Sequence, residues 1–380
     1  LAKLALLRNV RFLQRRKEPL EGPAWRLALI VFSVLLAFLI GSLFFIPFGV
    51  DPIQAYTSLV TAGFSSRNGF AYTLMKASPM LLVALGTVLA FRTGFRYLGF
   101  EGTLGLGAIV TVWFALECQE GGLFGPLPGI IFFPIATLIG FLGGGIWAGI
   151  VGFSKARLGG NEVIVSLMSN YVANLLINFL ISGPMRQPGD MPQTAHIPDA
   201  TRLPRILPGT RAHAGILVAL ALTVGVYWFL RHTTLGYKMI VSGDNPKAAR
   251  YGGINVVRMV ILSSVIAGGL AGIAGGYEVL GVHLRVTEGL SSDLGRLGII
   301  AALLGGLEPV GAAIAAVLYA AMNVGAEAMQ RRAAVPTPVT FTIQSLVVIV
   351  LLCVDILRYY RVVLPKIGVA RPMVVSEVSE

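Results

Sequence analysis

Charge is scarce in this chain. Asp, Glu, Lys and Arg make up 13% of its 380 residues, against roughly a quarter in soluble domains, while the hydrophobic set reaches 55%. Such a composition points to an integral membrane protein. The apolar runs do not alternate with polar residues, which excludes a β-barrel, so the spans must be helices that satisfy their own backbone N–H groups. Cysteine is almost missing: Cys118 and Cys353 form no Cys-x-x-Cys and no disulfide framework, which excludes redox and zinc-ribbon chemistry. No Gly-Lys dipeptide occurs, so the chain holds no phosphate-binding P-loop, and neither His-Glu-x-x-His nor Gly-x-Ser-x-Gly is present. His196, His213, His232 and His283 are scattered, and none has a catalytic pair within helical reach. An intramembrane enzyme is the weakest reading.

Ten apolar runs are long enough to read as spans, at about 25–46, 77–92, 101–117, 128–153, 162–182, 213–230, 257–277, 294–308, 309–330 and 338–357. The run starting at Trp25 is too long for a signal core and lacks a small-residue cleavage site, so no cleavable leader is expected. The expected organisation is a basic cytoplasmic segment 1–24, a transmembrane domain 25–357 and a cytoplasmic tail 358–380. Lys and Arg crowd both tails and alternate loops, whereas the opposite side is served chiefly by Arg186, Arg202, Arg205 and Arg211 in the Pro-rich loop 183–212. Both termini are therefore expected in the cytoplasm, and loop 183–212 outside. The net charge of +12 reflects this topology and contact with the lipid bilayer rather than nucleic acid. The stretch from Lys3 to Arg16 reads as an amphipathic surface helix or an anchor, and the end of the chain from Ala370 as disordered.

Three patterns stand out. Residues 236–256 hold a polar segment between two long apolar runs. Pro246 suits a first helical turn, Asp244 or Asn245 can cap it and Gly252-Gly253 can end it, which makes one short basic helix. Such a helix docks a partner or is an ordinary positive loop. The fifth run carries Glu162, Ser166, Asn170, Asn174 and Asn178 at every fourth position, a slowly winding stripe on one helix. It either bonds neighbouring helices or lines a route for a polar solute. Gly140, Gly144, Gly145 and Gly149 in run four, and Gly268, Gly272 and Gly276 in run seven, stand in small-x-x-x-small register, which predicts close helix packing and interior positions for both runs.

Runs three and eight are short, and each follows a Gly-rich polar lead-in, 94–102 and 288–296. Interrupted segments in corresponding halves suggest a central site, and the shift of five spans between 2–5 and 7–10 would make the halves inverted repeats. Arg96 and Arg296 in these lead-ins read as interfacial anchors.

The motifs Gly99-Phe-Glu101-Gly102, Asn161-Glu162-Val-Ile, 243–254 and 302–311 occur in that order and resemble the permease subunits of bacterial ABC importers for simple sugars and nucleosides over roughly 70–355. The chain is most similar to the nucleoside branch that works with basic-membrane-lipoprotein-type binding proteins. The resemblance implies an all-α type II importer fold and alternating access for nucleosides, related bases or simple sugars. It also implies a second, non-identical permease, two cytoplasmic ATP-binding subunits that use ATP and magnesium, and an extracytoplasmic binding protein. The chain itself would bind no cofactor or metal and perform no bond chemistry. Asp244, Asn245, Pro246, Lys247, Ala248, Ala249, Arg250, Tyr251 and Gly252 would form the coupling helix that sits on the ATPase. The solute pathway would take Glu101, Tyr97, Phe100, Ser166, Asn170, Asn174 and Asn178, with Tyr97 and Phe100 either stacking on a base or packing in the core. The family pattern has Asn and Gln where this chain has Tyr97 and Thr103, which implies a changed solute contact or a partner that contributes more. The competing class is an ion-coupled secondary transporter, whose titratable candidates are Glu101, Glu278, Glu308 and Glu327.

Overall fold

Glycines dictate the centre of the bundle. A computed structural model of the chain describes residues 51–333 except 120, 190, 291 and 292, with short pieces at 13–15, 35–36, 39–43, 339, 341–342, 345–346, 349–350 and 360–362. Helices α1 (Pro52–Phe64), α2 (Arg67–Arg92), α3 (Phe100–Glu117), α4 (Gly129–Leu158), α5 (Glu162–Ser182), α6 (Gly215–His232), α7 (Thr234–Asp244), α8 (Pro246–Tyr251), α9 (Val256–Glu278, continued by a π turn Val279–His283), α10 (Leu294–Leu304) and α11 (Pro309–Ala333) follow in chain order. The core is α9, packed by α2, α3 and α4. A Cβ at Gly272 would stand 2.0 Å from the Gly140 carbonyl oxygen, one at Gly144 2.3 Å from the Gly268 oxygen, and one at Gly275 1.9 Å from the Leu104 oxygen. Only glycine lets these backbones touch. The two glycine stripes therefore face each other as expected, but the helices differ: α9 is interior, whereas α4 packs its glycine face inward and exposes Leu138, Leu142, Ile146 and Ile150.

Seven helices among the described residues are long and apolar enough to cross a membrane: α2, α3, α4, α5, α6, α9 with its π turn, and α11. The expected eighth span at 294–308 is instead the 11-residue α10. At 1.5 Å per residue it covers about 17 Å of a roughly 30 Å hydrocarbon layer. Its chain is stopped at both ends by backbone geometry, Asp293 at φ 67° before it and Gly306 and Leu307 at φ 67° and 55° after it. Helix α1 is not among the expected elements. Asp51 accepts from the Ile53 N–H at 2.9 Å and Pro52 fills the first turn, a start signal that the short run conceals. The expected spans 25–46 and 338–357 lie mostly outside the described residues, as does the end of the chain from Ala370.

The chain divides into two units, Phe45–Phe341 and a second made of Leu1–Phe44 with Thr342–Glu380. In the second, β1 (Leu13–Arg15) pairs antiparallel with β2 (Tyr360–Val362), Gln14 opposite Arg361. Residues 13–15 are thus extended, not part of a surface helix. Apart from this pair and isolated bridges, the described residues are helix and loop.

Within the first unit, loop 183–212 marks one end of the bundle. Arg67 at the start of α2 donates to the Pro208 carbonyl at 3.1 Å. The loop is laid against the π turn by Leu203 N–H to Leu280 O and Ile197 N–H to Leu284 O, both 3.0 Å, and by Thr194 N–H to Val286 O at 3.1 Å. The opposite end carries α7 and α8.

Candidate functional site

The starts of the two short helices meet. A Cβ at Gly295, in the first turn of α10, would lie 2.6 Å from the Glu101 backbone nitrogen in the first turn of α3. The same Cβ would lie 2.7 Å from the Glu101 Cγ, which puts the Glu101 side chain against the start of α10. Asp293 pairs with Arg296 at 2.5 Å. Two helix N-termini, each with a partly positive end, thus converge on one carboxylate. This junction is held from α5. The Ser166 hydroxyl accepts from Leu98 N–H at 3.2 Å, the Asn170 carboxamide oxygen accepts from Gly102 N–H at 2.9 Å, and its nitrogen donates to the Leu98 carbonyl at 3.1 Å. An extended lead-in and a first helical turn leave N–H and C=O groups without backbone partners, and these two side chains supply them.

The structure divides the expected pathway residues. Tyr97 and Phe100 are 0% exposed and pack edge to face at 4.9 Å between ring centroids, with Phe95 stacked on Tyr97 at 5.7 Å. Both rings are thus enclosed in the core, the packing alternative of the two. The Tyr97 hydroxyl, the Thr103 hydroxyl and the Gly99 carbonyl form one closed hydrogen-bonded cluster. Ser166 and Asn170 act as inter-helix bonds. Asn174 is exposed and Asn178 half-buried on the same helix, whose inward face is Ser166, Ser169, Ala173, Ile177 and Ile181. Glu162 pairs with Lys155 at 2.6 Å at the start of the stripe.

The polar segment folds as two helices, not one. A proline disfavours the helical conformation at the residue before it, and Asn245, which precedes Pro246, accordingly sits at φ −149°, ψ 92° and breaks α7 from α8. Asn245, rather than Asp244, is the cap: its side chain accepts from Ala248 N–H at 3.1 Å, while Asp244 ends α7. In α8 only Ala249 is buried; Lys247, Ala248 and Arg250 are exposed, and Tyr251 is 95% exposed. Gly252 caps the helix. Tyr251 is thus a large aromatic left open on a short basic helix.

One contact joins this surface to the junction. A Cβ on Gly243, in the last turn of α7, would lie 2.2 Å from the Arg92 carbonyl oxygen and 2.8 Å from Gly94 N. Gly94 itself has φ +78° and opens the lead-in to α3. Arg92 is fixed in place by its Nε donating to Leu307 O at 3.0 Å and by its pairing with Glu308 at 2.6 Å, while Arg231 approaches Glu308 at 3.5 Å. A cavity of about 290 Å³ lies beside these groups, lined by Tyr227, Leu230 and Ile240 among others. The remaining carboxylates singled out in the sequence also have cationic or basic neighbours. Glu327 pairs with Lys76, and Glu278 lies 3.3 Å from His283. His213 is buried outside the spans, and burial holds its imidazole below the ordinary value, with Glu278 opposing.

The comparison with known proteins identifies the family. Residues 69–354, from the first turn of α2 to beyond α11, match the family described as branched-chain amino acid transport system, permease component. The chain belongs to this permease family. Relatives include a glucose ABC transporter permease of Haloferax volcanii, 31% identical over 90% of this chain and 91% of that protein. A guanosine ABC transporter permease of Bacillus subtilis is 30% identical over 88% and 96%, and a nucleoside ABC transporter permease of Lactococcus lactis is 30% identical over 78% and 83%. No solved structure matches the chain. It is thus a multi-pass membrane permease.

The two places where this permease departs from the resemblance, Tyr97 and Thr103, are hydrogen-bonded to each other. Sequence reasoning missed the Gly243–Gly94 contact, which has no local signal. It singled out Glu327 but missed that Tyr319, Asn323, Glu327 and Arg331 on α11 repeat the every-fourth-residue spacing noticed in α5.

Proposed function

We propose that this permease is the membrane subunit of an ATP-driven ABC importer that moves nucleosides inward by alternating access. The observation that carries the reading is α8, a capped basic helix with one buried residue, linked through Gly243 and Gly94 to the lead-in of α3. Closure of two partner ATPases on Lys247, Arg250 and Tyr251 would push α7 against this lead-in and shift the junction around Glu101. In this reading α8 and both termini face the cytoplasm, loop 183–212 faces an extracytoplasmic binding protein, and a second, non-identical permease completes the pathway. Asn174 and Asn178, left open on α5, would face that pathway, since a carboxamide both donates to and accepts from a neutral solute. ATP and magnesium would be used by the partner ATPases.

The nucleoside assignment draws on the guanosine and nucleoside permeases among the relatives; the Haloferax glucose permease favours a sugar as the second reading. Uptake of labelled guanosine into proteoliposomes holding the assembled importer, with ATP and an excess of unlabelled glucose, separates the two. Guanosine accumulation that glucose does not compete is the expected result. Accumulation driven by an imposed ion gradient without ATP would refute the importer reading in favour of a secondary transporter.

A further inference from the structure

Lys76, Asn323 and Glu327 form a polar group that the reading above leaves unused. Lys76 on α2 donates to the Asn323 carboxamide oxygen at 2.7 Å and pairs with Glu327, whose second oxygen lies 3.6 Å from Arg331. The Lys76 and Glu327 side chains keep 22% and 42% exposure. Tyr319, Asn323, Glu327 and Arg331 share one face of α11 at every fourth residue. Tyr319, toward the inner end of that face, is buried. This polar face of α11 lies toward the end of the bundle that carries loop 183–212. Charged side chains are costly against lipid, so these partly open groups belong beside water or solute.

The chemistry of the group defines its ligand. Lys76 and Glu327 cancel in charge and Arg331 beside them is solvated, which suits a neutral molecule. The ammonium has three donors and spends two, the Asn323 amide N–H groups have no partner among the described residues, and the carboxylate has further acceptor sites. Two adjacent hydroxyls match this set, each donating to the carboxylate or carboxamide oxygen and accepting from the ammonium or amide. We infer that Lys76, Asn323 and Glu327 bind the adjacent hydroxyl pair of the transported solute, as carried by a ribose or hexose ring, at the outer mouth of the pathway. The inference rests on the import reading above.

The test uses the assembled importer in proteoliposomes, with guanosine and 2′-deoxyguanosine, which lacks the adjacent pair, as probes. The binding protein is unchanged throughout, so any change in the ratio of the two uptakes belongs to the permease. Asn323→Leu is expected to lower guanosine uptake about tenfold while 2′-deoxyguanosine falls less than about twofold, because a site built for a hydroxyl discriminates against its loss. The double variant Lys76→Met/Glu327→Met removes both partly buried charges and leaves only the solvent-exposed Arg331 unpaired, so a merely structural ion pair tolerates it; it is expected to show the same selective loss. Equal losses for both probes, no loss, or failure of both variants to co-purify with the other subunits would overturn the inference. Absence of ATP-driven guanosine uptake by the unaltered importer would instead overturn the nucleoside reading, and this inference with it.

Discussion

Replacing Gly243 by Ala adds one methyl at the contact between α7 and the lead-in of α3. The new Cβ would start 2.2 Å from the Arg92 carbonyl oxygen and 2.9 Å from the Thr93 carbonyl carbon. Both are backbone atoms, and Arg92 is held by Leu307 and Glu308, so neither can rotate away. An ordinary contact requires a shift of about 1 Å, and overpacking of this kind costs about 1–3 kcal/mol. The displaced element is α7 with α8 attached, so the expected consequence is mechanical: the ATP hydrolysed per guanosine imported rises about tenfold, the factor that about 1.4 kcal/mol of lost coupling supplies. Gly225→Ala on α6 is the control, since its Cβ meets nothing within 4 Å. The assay is paired measurement of phosphate release and guanosine uptake in proteoliposomes, with co-purification of the ATPase as the check on assembly. An unchanged stoichiometry in Gly243→Ala would refute the claim that motion passes through this contact.

The two parts of the α5 stripe should separate. Asn170→Leu strands Gly102 N–H and Leu98 C=O and should lower thermal stability by about 1–3 kcal/mol, read as an earlier unfolding transition. Asn174→Leu removes no bond, so it should reduce uptake with the unfolding temperature unchanged; unaltered uptake would show that Asn174 faces neither solute nor pathway. Replacing Arg250 and Tyr251 by Ala should abolish substrate-stimulated ATP hydrolysis, and its survival would place the docking surface elsewhere. His213 predicts a pH effect on the loop. Its folded-state pKa lies below the unfolded value, so the stabilisation is present above about 6.5 and is lost as pH falls through that value toward the folded one. The protection factors of the residue 194–206 amides, corrected for the slower intrinsic exchange at lower pH, should therefore fall on acidification from neutral pH, and the fall should vanish in His213→Phe.

Much of the architecture was legible because hydrophobic length and local capping are local properties. The runs at 162–182 and 309–330 became α5 and α11, and Pro246 with Gly252 bounded α8 because proline and glycine restrict their own backbone. The glycine stripes announced close packing for the same reason, since a missing Cβ leaves a groove whatever fills it. The site was harder to read. The stripe from Glu162 to Asn178 looks uniform in sequence, yet its first half bonds the α3 lead-in and Asn174 faces outward, because which part of a face is covered depends on helices far away in the chain.

The sequence by itself determined the solvent this protein lives in, where its backbone must be helical, and where a short basic helix begins and ends, since these follow from hydrocarbon thickness and residue-level sterics. Only the tertiary structure decided that α10 stops short and meets Glu101, that Tyr97 closes on Thr103, and that Gly243 presses on the turn after Arg92. The meetings of α10 with Glu101 and of Gly243 with that turn join segments far apart in the chain, and no local preference encodes them: they exist because burying one helix face fixes what its neighbours can touch.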